Sequence, residues 1–186
     1  MLLCLSTSLY PESRSRILMR AAFEHLSRSN PGAGAGPGAA QWLDLADLDL
    51  AICDAHSVWE HEHTKQLQAA VRGAQGILLG FGIYNYAPSA IAKTAVELAG
   101  KAWSEKVVGF ICAAGGPGSY MSAMPMAASL MLDFRCVIVP RFVYATGKAF
   151  NGAAIADAEV TARVHQLADE LARMTAALRG ASTTTE

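Results

Sequence analysis

Five short apolar segments, separated by segments long enough to form helices, are the feature that most restricts the fold of this sequence. Each is continuously apolar or β-branched and is bounded by Gly, Pro or Ser, which is typical of parallel strands covered on both faces. The predicted strands are residues 2–6, 42–45, 76–80, 107–113 and 136–140. The predicted helices between and after them are residues 16–29, 58–72, 88–100, 121–134 and 157–178.

This strict alternation predicts an α/β fold, a flavodoxin-like doubly wound five-stranded parallel sheet of order 2-1-3-4-5. The winding direction reverses beside the first strand in that order, so a ligand crevice is expected at the carboxyl ends of strands 1, 3 and 4. Residues 1–180 are predicted to form a single domain and residues 181–186 a disordered tail. Residues 30–40, rich in Gly, Pro and Ala, are predicted to be a mobile loop.

The composition argues against several classes of partner. The chain has 186 residues and a net charge of −1, which leaves no excess of basic surface for nucleic acid or anionic lipid. Its apolar runs are far shorter than the roughly 20 residues of a membrane helix, and no basic segment precedes the first of them. The four cysteines lack metal-binding spacing and are expected to be reduced core residues. A cytoplasmic location is therefore expected.

The loop after the first strand, residues 7–18, is rich in hydrogen-bond donors and positive charge. Its hydroxyl-bearing candidates are Ser8, Tyr10, Ser13 and Ser15, and its basic residues are Arg14 and Arg16. Because the loop opens a helix, the amides of the helix N-terminus add partial positive charge. This combination predicts a site for a phosphate monoester. An ordinary polar turn capped by Ser13 or Ser15 is the alternative interpretation.

The loops after the third and fourth strands supply aromatic, amide and glycine residues. The candidates in the second loop, residues 80–88, are Gly82, Ile83, Tyr84, Asn85 and Tyr86. Those in the third loop, residues 113–120, are Gly115, Gly116, Gly118, Ser119 and Tyr120. Stacking and close backbone amides suit a flat heterocycle, especially where Gly116 or Gly118 has a positive φ. The three loops together predict a mononucleotide site, although each tyrosine can equally be a packing residue.

These three loops resemble those of the NADPH-dependent FMN reductases, a family that includes quinone, chromate and azo-dye reductases. Residues 7–18 resemble the family motif G-S-L-R-x-x-S-x-N-R-x-L, residues 83–85 resemble P-E-Y-N, and residues 115–118 match the glycine-rich third loop. The resemblance runs from residue 2 to about residue 145. It departs from the family at Tyr10, where the family has arginine, and at Ser15, where it has asparagine.

The resemblance implies an NAD(P)H oxidoreductase that passes hydride from NADPH or NADH through FMN to a small acceptor. The acceptor classes it implies are a quinone, a free flavin, an azo compound or a metal oxyanion. No side chain is implied to be catalytic, because the chemistry belongs to the flavin. The first loop would hold the phosphate, with Arg14 or Arg16 supplying the charge that Tyr10 lacks. The second loop would line the ring, and the third would donate amides to its pyrimidine edge.

A homodimer or homotetramer is expected from the family and from two helices, residues 88–100 and 121–134, which carry few charges. A metal site is not expected at His56, His61 and His63, since Ser57 and Glu60 read as a capping box whose helix points His61 and His63 apart.

Two alternatives to the reductase remain. One is a flavodoxin-like electron carrier without its own substrate, which usually has an acidic docking surface. The other is a scaffold that has lost the flavin.

Overall fold

The computed structural model describes residues 1–29 and 39–182. These residues form a mainly parallel sheet with helices on both faces. The strands are β1 (Leu2–Ser6), β2 (Ala40–Asp44), β3 (Gly76–Tyr84), β4 (Ala87–Pro88), β5 (Val107–Ala114), β6 (Val137–Ile138), β7 (Val143–Thr146), β8 (Phe150–Asn151) and β9 (Ala154–Ile155). The α-helices are α1 (Arg14–Ser29), α2 (Glu62–Gly73), α3 (Ala90–Ala99), α4 (Met124–Phe134) and α5 (Ala158–Ser182).

The order of the sheet confirms the predicted fold. The strands run β2-β1-β3-β5, and both β6 and β7 pair in parallel with β5 as two parts of one edge strand. The prediction ended this edge strand at Pro140 and missed β7. Val108 pairs with Ile138 and Ile111 with Val143, so the edge has two extra residues where Pro140, which lacks an N–H, interrupts the ladder.

The core lies on both faces of the sheet because successive side chains of each strand point to opposite sides. Leu3 and Leu5 of β1 face the cluster completed by α2, α3 and α4, whereas Leu2 and Cys4 face α1 and α5. Burial raises the pKa of the Cys4 thiol to about 12, and all four cysteines are free thiols. Cys4, Cys112 and Cys136 are buried as expected, whereas Cys53 is only partly buried.

The start of α2 differs from the prediction. Asp54, not Ser57, is the capping side chain: its carboxylate accepts hydrogen bonds from the Ser57 hydroxyl and from the amides of His56, Ser57 and Val58, which lower the pKa of Asp54. The capped turn is a short 3-10 helix, Ser57–Glu60.

The histidines that follow this turn are placed differently from the prediction. α2 begins after His61, so the helix does not separate His61 from His63, and their rings meet edge-on with centroids 5.7 Å apart. His63 Nδ1 accepts the amide hydrogen bond of Asp49 at 2.8 Å. In the described residues, no three His, Cys, Asp or Glu side chains are grouped as metal ligands.

Other helix boundaries move by a few residues. α3 begins at Ala90 because Ala87 and Pro88 form β4, and α4 follows a 3-10 helix, Pro117–Ala123. α5 continues through Ser182 and thus includes two residues assigned to the tail. Residues 183–186, and residues 30–38 of the predicted loop, lie outside the described residues.

None of the helices in the described part of the chain is long and apolar enough to span a membrane. The cytoplasmic location stays a prediction.

Candidate functional site

Two adjoining cavities open at the carboxyl edge of the sheet, where the sequence predicted a crevice. The larger, the main cavity, has a volume of about 660 Å³, and the smaller, the side cavity, about 450 Å³. The main cavity is lined by Tyr10, Glu12, Ser13, Arg14, Ser15, Gly82, Ile83, Tyr84, Ala113, Ala114, Gly115, Gly152 and Ala153. The side cavity is lined by Ile83, Tyr84, Asn85, Tyr86, Gly115, Gly116, Gly118 and Ser119. The structure thus brings thirteen of the fifteen predicted residues to the two cavities.

Ser13 caps α1, as the alternative interpretation of the first loop predicts, and also borders the main cavity. Its Oγ accepts the Arg16 amide hydrogen bond at 3.2 Å, as an N-cap residue does, and lies 3.4 Å from Ser15 Oγ. Both hydroxyls border the main cavity. The N-terminus of α1 therefore meets the cavity with two serine hydroxyls and with first-turn amides that have no partner within the helix.

Arg16 has a different role from the one expected of a phosphate ligand. It is buried and forms a two-pronged ion pair with Asp44, with Nε to Oδ2 at 2.6 Å and Nη2 to Oδ1 at 2.8 Å. Its Nη1 donates to the Tyr10 carbonyl at 2.6 Å and its Nη2 to the Ser8 carbonyl at 2.7 Å. Arg16 thus ties the first loop to the end of β2. Ser8, a predicted ligand, lines neither cavity.

Arg14 is the cationic side chain that borders the main cavity. Its guanidinium carbon lies 5.9 Å from the centroid of the Phe150 ring. A Cβ on Gly147 would lie only 2.9 Å from Arg14 Nη1, so the guanidinium packs directly against this glycine. Of the two arginines proposed from the sequence to replace the family's arginine, the structure leaves Arg14 at the cavity.

Tyr10 and Glu12 form a pair at the mouth of the main cavity. The Tyr10 hydroxyl donates to Glu12 Oε2 at 3.1 Å, and this hydrogen bond, together with the carboxylate charge, raises the pKa of Tyr10. Tyr10 therefore remains a neutral phenol, and its hydroxyl donates to the Glu12 carboxylate.

The second loop is a tight hairpin turn. Tyr84 pairs with Ala87, and the two residues between them, Asn85 and Tyr86, have φ values of 49° and 60°. Positive φ at both central positions is the signature of a type I′ turn, and it is costly for a bulky residue such as Tyr86. The Tyr84 ring folds back over Gly82, where a Cβ would lie 2.8 Å from the ring.

The third loop lacks the positive φ suggested by its glycines. Gly116 is extended with φ of −153°, and the positive-φ glycines among the described residues are Gly100 and Gly152. The expected positive φ at Gly116 or Gly118 is therefore wrong. Positive φ is found instead in the second loop and in the β8–β9 hairpin. The amides of Gly115, at both cavities, and of Gly116, at the side cavity, donate to no acceptor in the described part of the chain.

Tyr120 lies outside both cavities. Its ring stacks on Phe142 with centroids 4.8 Å apart, which agrees with the alternative interpretation of the tyrosines as packing residues.

Sequence reasoning missed one wall of the main cavity, the hairpin of β8 and β9. Gly152 and Ala153 lie at its tip, and Gly152 has φ of 57°. Gly152 was a usable signal, because it is the first central residue of the two-residue turn between Asn151 and Ala154, and glycine there favours a short hairpin.

Comparisons with known proteins agree with this geometry. A family model described as NADPH-dependent FMN reductase matches residues 1–151. Among curated proteins, no sequence matches this chain significantly.

Solved structures share the fold at low sequence identity. An oxidoreductase from Corynebacterium diphtheriae is 18% identical, with 94% of this chain and 96% of that chain covered and a TM-score of 0.75. FerB from Paracoccus denitrificans, a flavoenzyme NAD(P)H:(acceptor) oxidoreductase, is 16% identical, with 94% and 96% covered and a TM-score of 0.71. An FMN-dependent NADH-azoreductase from Bacillus anthracis, in complex with FMN, is 11% identical, with 92% and 99% covered and a TM-score of 0.67.

Proposed function

Because the chain belongs to the NADPH-dependent FMN reductase family, we propose that the main cavity binds FMN and that the protein passes electrons from NADPH or NADH to a small acceptor. FMN is the cofactor of this family and a reduced nicotinamide its electron donor. When bound, FMN accepts hydride from the nicotinamide and passes the electrons on, so the protein needs only to bind and orient its ligands.

The observation that carries the proposal is the convergence of three loops on one cavity. The hydroxyls of Ser13 and Ser15, with Arg14 and the α1 amides, form a donor set suited to a phosphate dianion. The free amide of Gly115 lies at the main cavity and that of Gly116 at the adjoining side cavity, and both suit the carbonyl groups of a flavin ring. A volume of about 660 Å³ falls in the range of cofactor sites.

The side cavity favours a planar acceptor. Tyr84 and Tyr86 are largely exposed at its wall, and aromatic rings stack on flat molecules. A quinone, a free flavin or an azo compound has such a face, whereas a metal oxyanion does not. We propose the planar classes as acceptors for this reason.

Anaerobic mixing of the purified protein, loaded with FMN, with NADPH and then with NADH tests the proposal. Fast loss of absorbance near 450 nm with one donor, followed by recovery on addition of a quinone, is the expected result. A protein that binds FMN but is bleached by neither donor would be an electron carrier. A protein that binds no FMN would be a scaffold.

Gly82→Val is expected to weaken FMN and riboflavin binding by a similar factor. The valine would occupy the space of the Tyr84 ring, which lies 2.8 Å from the position of a Cβ, and would push that ring into the cavity. The strand should persist because β-branched residues suit β3. Fluorescence titration of the apoprotein with both flavins measures the effect, and unchanged affinities would mean that the ring site lies away from Gly82.

We also propose that α4 forms the interface of a homodimer. The apolar side chains of Met121, Met124, Met131 and Leu132 are exposed along α4 and the turn before it, and Leu132 is 84% exposed. Four large apolar side chains exposed within residues 121–132 are what an interface between subunits would bury.

The double variant Met131→Glu and Leu132→Glu is expected to be monomeric at micromolar concentration, because it buries charge in that interface. Sedimentation velocity measures the change. Ala162→Glu, on α5 across the sheet, is the control and should sediment as the wild type does. A monomeric wild-type protein would contradict the interface.

A further inference from the structure

Tyr144, a residue of β7, is joined to the third loop by two hydrogen bonds. Its hydroxyl donates to the Gly116 carbonyl and is within hydrogen-bond distance of Ser119 Oγ, which can supply the proton that the phenol oxygen accepts. The side chain is only 8% exposed, and its ring meets that of Tyr120 edge-on at 5.6 Å. A buried, well-packed phenol therefore fixes one carbonyl and one hydroxyl of the third loop.

The direction of the Gly116 carbonyl matters for the charge that the cavity presents. A backbone carbonyl carries partial negative charge at its oxygen and an amide carries partial positive charge at its hydrogen. Tyr144 takes up the carbonyl, while the amides of Gly115 and Gly116 remain free at the cavity wall. The loop thus presents donors to the cavity.

A two-electron reduction gives bound flavin extra negative charge. Donors at the wall stabilise the reduced form more than the oxidised form, and a carbonyl that turned toward the cavity would do the opposite. The peptide group that carries this carbonyl has no N–H, because Pro117 follows Gly116, so turning it toward the cavity would add an acceptor and no donor. Its orientation therefore influences the equilibrium between the two forms.

We propose that Tyr144 is a positioning residue that holds the third loop with its amides toward the cofactor and thereby raises the reduction potential of bound FMN. The inference rests on the proposed function. It adds a residue of the edge strand that belongs to none of the three loops and lines neither the main nor the side cavity.

The test is the midpoint potential of FMN in Tyr144→Phe, measured by equilibration with a reference dye. Loss of the hydrogen bond that fixes the third loop should weaken binding of oxidised FMN and of riboflavin by a similar factor, roughly 3- to 10-fold. An additional loss of the same size for reduced FMN would lower the potential by about 15 to 30 mV, since a tenfold change corresponds to about 30 mV for two electrons.

Two further variants make the result specific. Thr146→Val removes a hydroxyl from the same strand outside both cavities and should leave the potential unchanged. Ser119→Ala leaves the bond from Tyr144 to Gly116 in place and should shift the potential less than Tyr144→Phe.

The potential of Tyr144→Phe decides the inference. An unchanged potential in Tyr144→Phe, or a larger shift in Ser119→Ala, would overturn it. Failure of the wild-type protein to bind FMN would instead overturn the proposed function.

Discussion

Arg16→Met is expected to lower the free energy of unfolding by about 3 to 5 kcal/mol, because it leaves the Asp44 carboxylate buried without its partner. Arg16 and Asp44 are 9% and 5% exposed, and the Arg16 guanidinium donates two hydrogen bonds to the Asp44 carboxylate, whose charge it balances. The substitution also frees the carbonyls of Tyr10 and Ser8. Urea unfolding, followed by circular dichroism with an unchanged m-value, measures the loss.

Arg20→Met is the matched control for this prediction. Arg20 lies one turn further along α1 and is exposed. Its guanidinium carbon lies 4.1 Å from the centroid of the Trp42 ring. Its loss should cost about 0.5 to 1 kcal/mol. A cost below about 1 kcal/mol for Arg16→Met would mean that water reaches Asp44 and that the pair contributes little.

The double variant Arg16→Met and Asp44→Leu separates stability from ligand binding. Replacing both members of a buried ion pair by apolar residues is often neutral, so most of the lost stability should return. Arg16→Met should also weaken FMN binding, because the Tyr10 and Ser8 carbonyls lose the guanidinium that fixes the first loop. This loss of affinity should remain in the double variant. Recovery of both properties together would show that the loop keeps its shape without Arg16.

Arg14 and Arg16 illustrate why the site was only partly predictable from the sequence. Both lie in one loop, with Arg16 at an arginine position of the family motif and Arg14 at a variable position, but this difference does not say which of them faces the cavity. Once α1 begins at Arg14, residues two apart point about 200° apart, so one faces the cavity and the other faces the core. Which of them faces the core depends on Asp44, which is 28 residues away and becomes a neighbour only because β2 pairs with β1.

The order of the sheet was predictable for a contrasting reason. Each central strand is a continuous apolar run, and strict alternation with helices leaves few topologies. Because parallel strands end at one edge, the three loops had to meet there. The edge strand had no such continuity: Pro140 and Arg141 interrupt it, and β7, with Tyr144, therefore remained hidden.

Arg14→Gln combined with Ser15→Ala is expected to weaken FMN binding by roughly 10²- to 10⁴-fold while changing riboflavin binding little. Each hydrogen bond to a charged phosphate contributes about 1.5 to 3 kcal/mol, and riboflavin has no phosphate. Both residues border the main cavity, and Arg14 is held there by Gly147 and Phe150. Ser13 is left intact because its Oγ caps α1, and its loss would also destabilise the helix.

Titration of the apoprotein with each flavin, followed by fluorescence, gives the ratio of the two affinities, which is the quantity that identifies the phosphate site. The control, Arg20→Gln with Ser27→Ala, makes the same kinds of change on α1 away from both cavities and should leave the ratio unchanged. If the double variant weakened both flavins equally, the first loop would support the ring and not the phosphate. Tyr10 would then stand where the family has arginine without any compensating cation, and selectivity for FMN over riboflavin would have to be low in the wild-type protein as well.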